Sequence, residues 1–517
     1  MAGLVFDSAQ RTPDAPALFD RRGAMTYHEL AAAVAGSAGW MAGLGLEKGA
    51  RVALFLPKQR ETVIALFAAA AAGLTAVPVN PGLKAAQVLH ILHDSATSLL
   101  VTSSDRLRAL GPLRQLSPHL SHVLLTGPRL DQSKDMPPLF GWQDQPCKGD
   151  IKIINTNPLA AILYTSGSTG RPKGVMLSHD NLRLGADSVV RYLENGPEDR
   201  ILALLPLSFD YGLNQLTSGF LAGAQVVLHD YFLAQDVVRA VERHAITGLG
   251  CVPPLWHHLA AQPWPPATAA HLRYITNSGG AMPRPLLERL QAIFSRAKIY
   301  LMYGLTEAFR ATYLDPALVN ARPTSIGKAI PHAEVLVLRP DGSECAVDEP
   351  GELVQVGPLV AQGYWRDEAR TAARFRPAPA ASRLAKPGER AVWSGDKARR
   401  DADGFFYFLG RDDEMIKTSG YRVSPTEVEE AVLASGLVAE AVALGVADEV
   451  LGQSIALAAV AAPGRAADDE ALLGHCRKVL PSYMVPARVH WLAALARTAN
   501  GKIDRAGVAR RVRGEAA

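Results

Sequence analysis

An apolar run, Ala160-Ala161-Ile162-Leu163, leads straight into Tyr164-Thr165-Ser166-Gly167-Ser168-Thr169-Gly170-Arg171-Pro172-Lys173-Gly174. A buried strand ending in such a segment restricts the fold more than any other feature of the chain. Glycines let the backbone close on a ligand and turn its N–H groups inward. Hydroxyls and amides bind phosphate oxygens, and a lysine adds a compact positive charge. The segment reads as a loop that holds a polyphosphate. It is not a Walker A loop, which needs Gly-x4-Gly-Lys-Ser/Thr. Pro172 stands five residues after Gly167, and Gly174 follows Lys173. Taken alone, a run of Ser, Thr and Gly is as often an ordinary polar loop.

The segments around it alternate between helical and strand patterns, which predicts an α/β architecture with largely buried sheets. Thr26 caps a helix that runs through Leu30 to Met41. Arg51 to Leu56 reads as a buried strand. Val63 to Val79 carries no charge and is broken by Gly73 and Pro78. It is short for a membrane span and reads as a buried helix, a turn at Gly73 and a short strand. Glu334 to Leu338 and Gly351 to Val356 read as strands beside Pro-Asp-Gly and Pro-Gly turns. Arg376 to Arg390, rich in Pro, Ala, Lys and Arg, reads as an exposed irregular insertion. Ser424-Pro425-Thr426-Glu427 opens a helix, with Ser424 as N-cap, Pro425 at the first position and Glu427 completing a capping box.

A chain of 517 residues exceeds one core and predicts two or more domains. Its net charge of +4 makes no case for nucleic acid, which wants clustered basic faces. Cys147, Cys251, Cys345 and Cys476 lie far apart with no C-x-x-C spacing. That fits a reducing cytoplasm and excludes a zinc ribbon or a disulfide framework. Met1 to Asp7 shows no secretory signal pattern.

The 164–174 string resembles the phosphate loop of the AMP-forming adenylating enzymes: acyl-CoA synthetases, nonribosomal adenylation domains and luciferases. That family's other motifs follow in order. Tyr303-Gly304-Leu305-Thr306-Glu307 matches Y-G-x-T-E, and Ser394-Gly395-Asp396 matches S/T-G-D. Gly410-Arg411-Asp412-Asp413 matches G-R-x-D, and Ile416 to Arg422 continues it. Leu480 to Pro486 matches L-P-x-Y-M-V-P, and Asn500-Gly501-Lys502-Ile503-Asp504-Arg505 matches N-G-K-x-x-R. The resemblance covers nearly the whole chain. It implies a large N-terminal domain of layered sheets and helices, 1–410, and a small mobile α+β C-terminal domain, 411–517. The hinge is expected at Asp413. No carrier domain is expected to be fused after Lys502.

The implied reaction has two steps. A carboxylate attacks the α-phosphate of ATP to give an acyl-adenylate and pyrophosphate, and a pantetheine thiol then displaces AMP. The resemblance assigns Lys502 to the shared charge of the first transition state, Thr306 to the α-phosphate and Glu307 to Mg²⁺. A lysine near a flexible terminus, or a glutamate at a helix start, is otherwise usually structural. It places Thr165, Ser166, Gly167, Ser168, Thr169, Gly170 and Lys173 on the phosphates, Gly280 and Tyr303 with the nucleotide, and Asp396 and Arg411 on the ribose. An Asx-turn is the bland role for Asp396. In the second step the small domain turns, bringing Lys417 to Arg422 to the site, with Gly420 against the thiol arm. CoA and a separate carrier protein remain equally open as thiol acceptors.

The acid is harder to read. Phe209, Asp210, Asn214, Met302 and Arg310 fall at the family's acyl pocket. Asp210 either meets a substrate ammonium, as in amino-acid-activating members, or caps the helix beginning near Tyr211. A buried Arg310 needs a partner, either Asp210 or a second anionic group on the substrate. Both side chains favour a small polar acid or an amino acid over a fatty or aryl acid. The string Ser208-Phe209-Asp210-Tyr211-Gly212-Leu213 resembles AMP-forming ligases associated with exosortase systems. The reading from another class is a catalytically inactive nucleotide-binding scaffold, against which Lys173, Glu307, Asp396 and Lys502 stand.

Overall fold

The structure is a computed structural model, and it describes residues 1–517 except 112, 114–116, 129, 132–135, 146–157, 166–171, 412–414, 497–502 and 515–517. The described strands form four sheets. The largest has nine strands, and its centre is parallel: Gln225–Leu228, Arg200–Ala203, Gly248–Cys251, Tyr274–Asn277 and Lys298–Tyr303. Thr312–Leu314 and Lys328–Ala329 extend one edge, Pro16–Asp20 and Gly23–Thr26 the other. The seven-stranded sheet runs Leu139–Gly141, His122–Thr126, Thr97–Ser103, Arg51–Phe55, Thr75–Pro78, Leu159–Thr165 and Lys173–Ser178. Continuous apolar runs such as Val-Ala-Leu-Phe at 52–55 suit parallel strands covered on both faces.

One buried cluster joins strands of both sheets to the helices Tyr27–Gly43, Arg60–Ala71 and Asp210–Ala222. Every residue of Arg60–Ala71 after Arg60 is buried, and Phe67 meets Phe220 edge to face at 5.5 Å. The chain then turns at Gly73, with φ of +72°, into Thr75–Pro78, as its composition predicts. The Thr26 cap also forms: its hydroxyl accepts from the Glu29 N–H at 3.2 Å, and Glu29 returns a bond to the Thr26 N–H at 2.8 Å.

The insertion is exposed and irregular over 378–389, as expected, but strands hold its ends, and one capping reading differs. Phe375–Pro377 is a strand paired with Arg390–Arg400, so the insertion between them is anchored at both ends. Glu334 holds it further, accepting from Ser382 Oγ at 2.5 Å and from the backbone N–H groups of Arg383 and Leu384. At Pro425–Leu433 the N-cap is Ser424 and Pro425 opens the helix, but no side-chain cap bond forms. Glu427 instead accepts from Gln87 Nε2 at 2.8 Å, across from the helix Ala85–Asp94.

The third sheet carries Glu334–Leu338, Gly351–Val356, Arg390–Arg400, Phe375–Pro377 and Phe406–Arg411. The fourth carries Tyr421–Val423, Ile416–Thr418, Gly452–Ala461, Val438–Asp448 and Arg488–Trp491, with its own buried cluster. No described helix is long and apolar enough to cross a membrane.

Candidate active site

Ligands of open α/β sheets bind beyond the carboxyl ends of the strands. Here those ends converge. Leu205 to Asp210 follow Arg200–Ala203, Val252 follows Gly248–Cys251, Ser278 and Gly279 follow Tyr274–Asn277, and Gly304 to Glu307 follow Lys298–Tyr303. Pro78 and Thr165 arrive from the seven-stranded sheet. A cavity of about 180 Å³ lies among them, lined by Thr165, Asp210, Thr306, Glu307 and Arg310, with Lys417 and Arg422 closing it from the fourth sheet.

Thr165 and Lys173 are paired across adjacent antiparallel strands, Leu159–Thr165 and Lys173–Ser178. Ser166, Gly167, Ser168, Thr169 and Gly170 lie outside the described residues, as do Lys502 and Asp413. Lys173 Nζ reaches Glu307 Oε1 at 3.0 Å and the Tyr364 hydroxyl at 2.6 Å, and that hydroxyl donates to Glu307 at 2.7 Å. Glu307 is 2% exposed. Burial works against its charge, yet Lys173, Arg374, Arg422 and the Tyr364 hydroxyl hold its carboxyl far below the usual range. Burial also lowers the Lys173 ammonium, against the pull of Glu307. The result is a buried carboxylate that stays ionised. A single such carboxylate suits Mg²⁺, which takes its remaining ligands from phosphate oxygens and water.

Tyr303 donates to Asp396, a fully buried carboxylate whose backbone N–H bonds the Ser394 hydroxyl at 3.1 Å. Arg411 is the backbone partner of Asp396 across neighbouring strands; its side chain lies outside the described residues. Gly279, with φ of +80°, lines the cavity, while its neighbour Gly280 accepts from Asn277 Nδ2 at 3.0 Å.

Asp210 is the first residue of its helix and Phe209 the cap, with no side-chain cap bond. The carboxyl faces the cavity, and burial raises its pKa although Arg310 and the adjacent backbone N–H groups pull the other way. Asp210 and Arg310 do not form the direct ion pair that the sequence allows; Arg310 instead stands 4.4 Å over the Tyr211 ring. Asn214 and Met302 lie beyond Arg310, around a residual space of about 20 Å³.

A second cavity, of about 300 Å³, shares Ser208, Phe209 and Gly420 with the first and is lined also by Lys58, Asp230 and Val252. Lys58 is buried there; it donates to the Leu204 carbonyl and lies 3.4 Å from Asp230, and burial brings its pKa down to about 8. Gly420 has φ of +79°, and a Cβ on it would come within 2.9 Å of Val252. Tyr364 and Lys58 were not singled out from the sequence. Gly363-Tyr364-Trp365 is the local signal for the first; a lysine directly after the apolar Phe55-Leu56-Pro57 strand end is the signal for the second.

The AMP-binding enzyme family matches residues 5–365, and its C-terminal domain matches residues 427–502. A sulfoacetate–CoA ligase of Cupriavidus necator is 32% identical over 514 residues, covering 98% of this chain and 96% of that one. An L-proline–[L-prolyl-carrier protein] ligase of Pseudomonas fluorescens is 32% identical over 521 residues, covering 98% of each. A double mutant of the o-succinylbenzoate CoA synthetase of Bacillus subtilis, 28% identical and covered to 98% and 97%, superposes with a TM-score of 0.81 when bound to a product analogue. The same enzyme with its acyl-adenylate intermediate superposes at 0.67, over the same shares of the two chains.

Proposed function

This chain belongs to the AMP-binding enzyme family, and from that premise we propose that it activates a small polar carboxylic acid or amino acid and passes it to CoA or a carrier-protein pantetheine. The general activity is that of an AMP-forming acid–thiol ligase. The observation that carries our assignment of residues is the convergence of Glu307, itself bonded by Lys173, and of Lys417, Gly420, Tyr421 and Arg422 on one cavity.

In the first step the acid's carboxylate oxygen bonds the α-phosphorus as the bond to pyrophosphate breaks. Two anions must meet, so catalysis is chiefly charge placement and alignment. Lys173 rests on Glu307 and Tyr364, ready to exchange those partners for phosphate oxygens. Glu307, with Thr306 beside it, would hold Mg²⁺, which supplies charge neutralisation on the phosphates. Tyr303 and Asp396, joined to each other, form the nucleoside side, Asp396 offering a carboxylate to the ribose diol. Lys502 is our candidate for the shared charge of the transition state.

In the second step a thiolate attacks the acyl carbonyl and AMP leaves with the bonding pair. The thiol arm enters through the 300 Å³ cavity, which meets the adenylate cavity at Ser208, Phe209 and Gly420. We propose that the small domain begins after the strand Phe406–Arg411, one residue later than the sequence suggests, with the turning point at Asp413. Relatives that serve CoA and a carrier protein leave both thiols in play. The need for ATP and a reduced thiol places the reaction in the cytoplasm.

The test is carboxylate-dependent ATP–pyrophosphate exchange, followed by thioester formation with CoA and with a phosphopantetheinylated carrier. Exchange with a polar or amino acid is expected. Nucleotide binding with no exchange on any acid would leave only the scaffold role.

A further inference from the structure

We propose that Arg310 receives a second, anionic group on the substrate, so that the acid activated here is short and carries an anion at its far end. This rests on the ligase reading above and narrows it.

The position of Arg310 is set by the turn that carries the reaction motif. Thr306–Ala308 is a single tight turn, and Phe309 follows with φ of +58°, a conformation that a bulky residue holds only when its surroundings fix it. The Phe309 ring is fully buried and packed on Gly185, where a Cβ would stand 2.2 Å from it. The Arg310 N–H then bonds the Ala308 carbonyl at 2.7 Å, and Ala311 returns to Tyr303 at 3.2 Å. The guanidinium therefore projects from the same rigid loop as Thr306 and Glu307, and all three line one cavity.

Its surroundings leave a charge without a counter-charge. Arg310 is 2% exposed, and its Nε and Nη2 are buried with no hydrogen-bond partner among the described residues. Tyr211 offers a ring face at 4.4 Å, which favours a cation but accepts no N–H in the guanidinium plane. Asp210 senses Arg310 across the cavity without pairing to it, and burial disfavours its ionised form. Buried guanidinium groups are otherwise paired, because an unpaired one is costly. A planar anion entering from the cavity would meet the fork geometry that Arg presents.

The same side chain marks the blind end of the pocket. Beyond it the space falls to about 20 Å³, between Asn214, Thr276 and Met302. That volume holds about one water. A water there can accept from Arg310 but brings no charge, and an alkyl chain cannot run past. An amino acid could offer an ammonium to Asp210 but would leave Arg310 unpaired and facing a like charge. A short acid ending in a carboxylate or sulfonate satisfies both the length and the charge.

The experiment is ATP–pyrophosphate exchange with malonate, succinate, glutarate and 3-sulfopropionate, each against propionate, butyrate or valerate of matched length, with glycine and β-alanine alongside. The expected result is a preference of about a hundredfold in kcat/KM for one of the anionic acids over its matched neutral acid, since leaving a buried polar site unmatched is heavily penalised. Arg310→Met should bring that ratio to near one, and Arg310→Lys, which keeps the charge but loses the fork, should give an intermediate ratio. A wild-type preference for neutral acids or amino acids overturns the inference and leaves the ligase reading standing. A fall of equal size on both acids in the two variants also overturns it, since a purely structural arginine would act that way. No exchange with any acid removes the ligase reading, and this one with it.

Discussion

At Glu307 the chemistry and the stability of the site are the same problem. Its carboxylate is held ionised by Lys173 at 3.0 Å and by the Tyr364 hydroxyl at 2.7 Å, inside a site where Arg374 and Arg422 add positive charge. Glu307→Gln removes the carboxylate that pairs with Lys173 and leaves that lysine buried. We expect a loss of about 3–5 kcal/mol in unfolding free energy, the usual cost of removing one partner of a buried pair. Exchange should fall at least about a hundredfold, the scale of losing a preorganised electrostatic group. The folded pKa is depressed, so the carboxylate's contribution is complete above its unfolded pKa of about 4.3 and is lost as pH falls below it. Denaturant midpoints of wild type and variant, measured from pH 7 to pH 3, should therefore converge on acidification; a constant gap would contradict the assignment. The glutamate itself is legible in the sequence because Y-G-x-T-E is a local string. Tyr364 shows locally only as the Gly363-Tyr364-Trp365 string; that it reaches Glu307 across 57 positions and Lys173 across 191 is not encoded there.

Among elements, the tightest constraint falls where the Ile416–Thr418 and Tyr421–Val423 hairpin meets the N-terminus of the helix Pro253–Ala260. Gly420 has φ of +79°, and a Cβ there would lie 2.9–3.0 Å from three atoms of Val252. Gly420→Ala should slow thioester formation by tenfold or more, roughly the effect of about 1.4 kcal/mol of lost docking, while pyrophosphate exchange stays within about twofold. Adding Val252→Ala removes two of the three clashing atoms and should restore part of the rate, the positive φ remaining strained. Equal loss in both half-reactions would contradict a role confined to this docking. Elements of this kind are readable where period and punctuation agree. Val63 to Val79 resolves into helix, Gly73 turn and strand because apolar continuity, glycine and proline all mark the same limits. Thr26 and Glu29 form their capping box because nothing else competes for the glutamate. Ser424 and Glu427 have the same spacing and do not form one, because Gln87 of another domain takes the carboxylate. Likewise Asp210 and Arg310 lie 100 positions apart, and sequence alone gives no measure of the gap between them.

For the molecule as a whole, Glu427 ties the arrangement of the two domains to pH. It sits on the first turn of Pro425–Leu433 and faces Gln87, with Met484 touching the same amide at 3.8 Å and Tyr421 stacked on Tyr483 alongside. Burial in this contact, helped by Glu430 on its own helix, pushes the Glu427 carboxyl up to about 7. A carboxyl whose pKa is raised by docking binds its proton more tightly in the docked state. Docking is therefore favoured at low pH and weakens as pH rises from about 4.5, the ordinary glutamate range, through 7, by up to about tenfold per unit. Above 7 both states are ionised and the dependence ends. This docked arrangement is the one that places Lys417 and Arg422 on the cavity lined by Glu307, and under our proposal its population bears on the second step rather than the first. Dyes attached through Glu47→Cys and Glu470→Cys, both exposed positions, would report it by energy transfer. The docked fraction should decline between pH 5 and about 7 and level off above. In Glu427→Gln, which keeps a hydrogen-bonding side chain and loses the titration, the profile should be flat. An unchanged slope in that variant would assign the pH dependence to another group. A flat wild-type profile would mean that Glu427 keeps its ordinary acidity when the domains are docked.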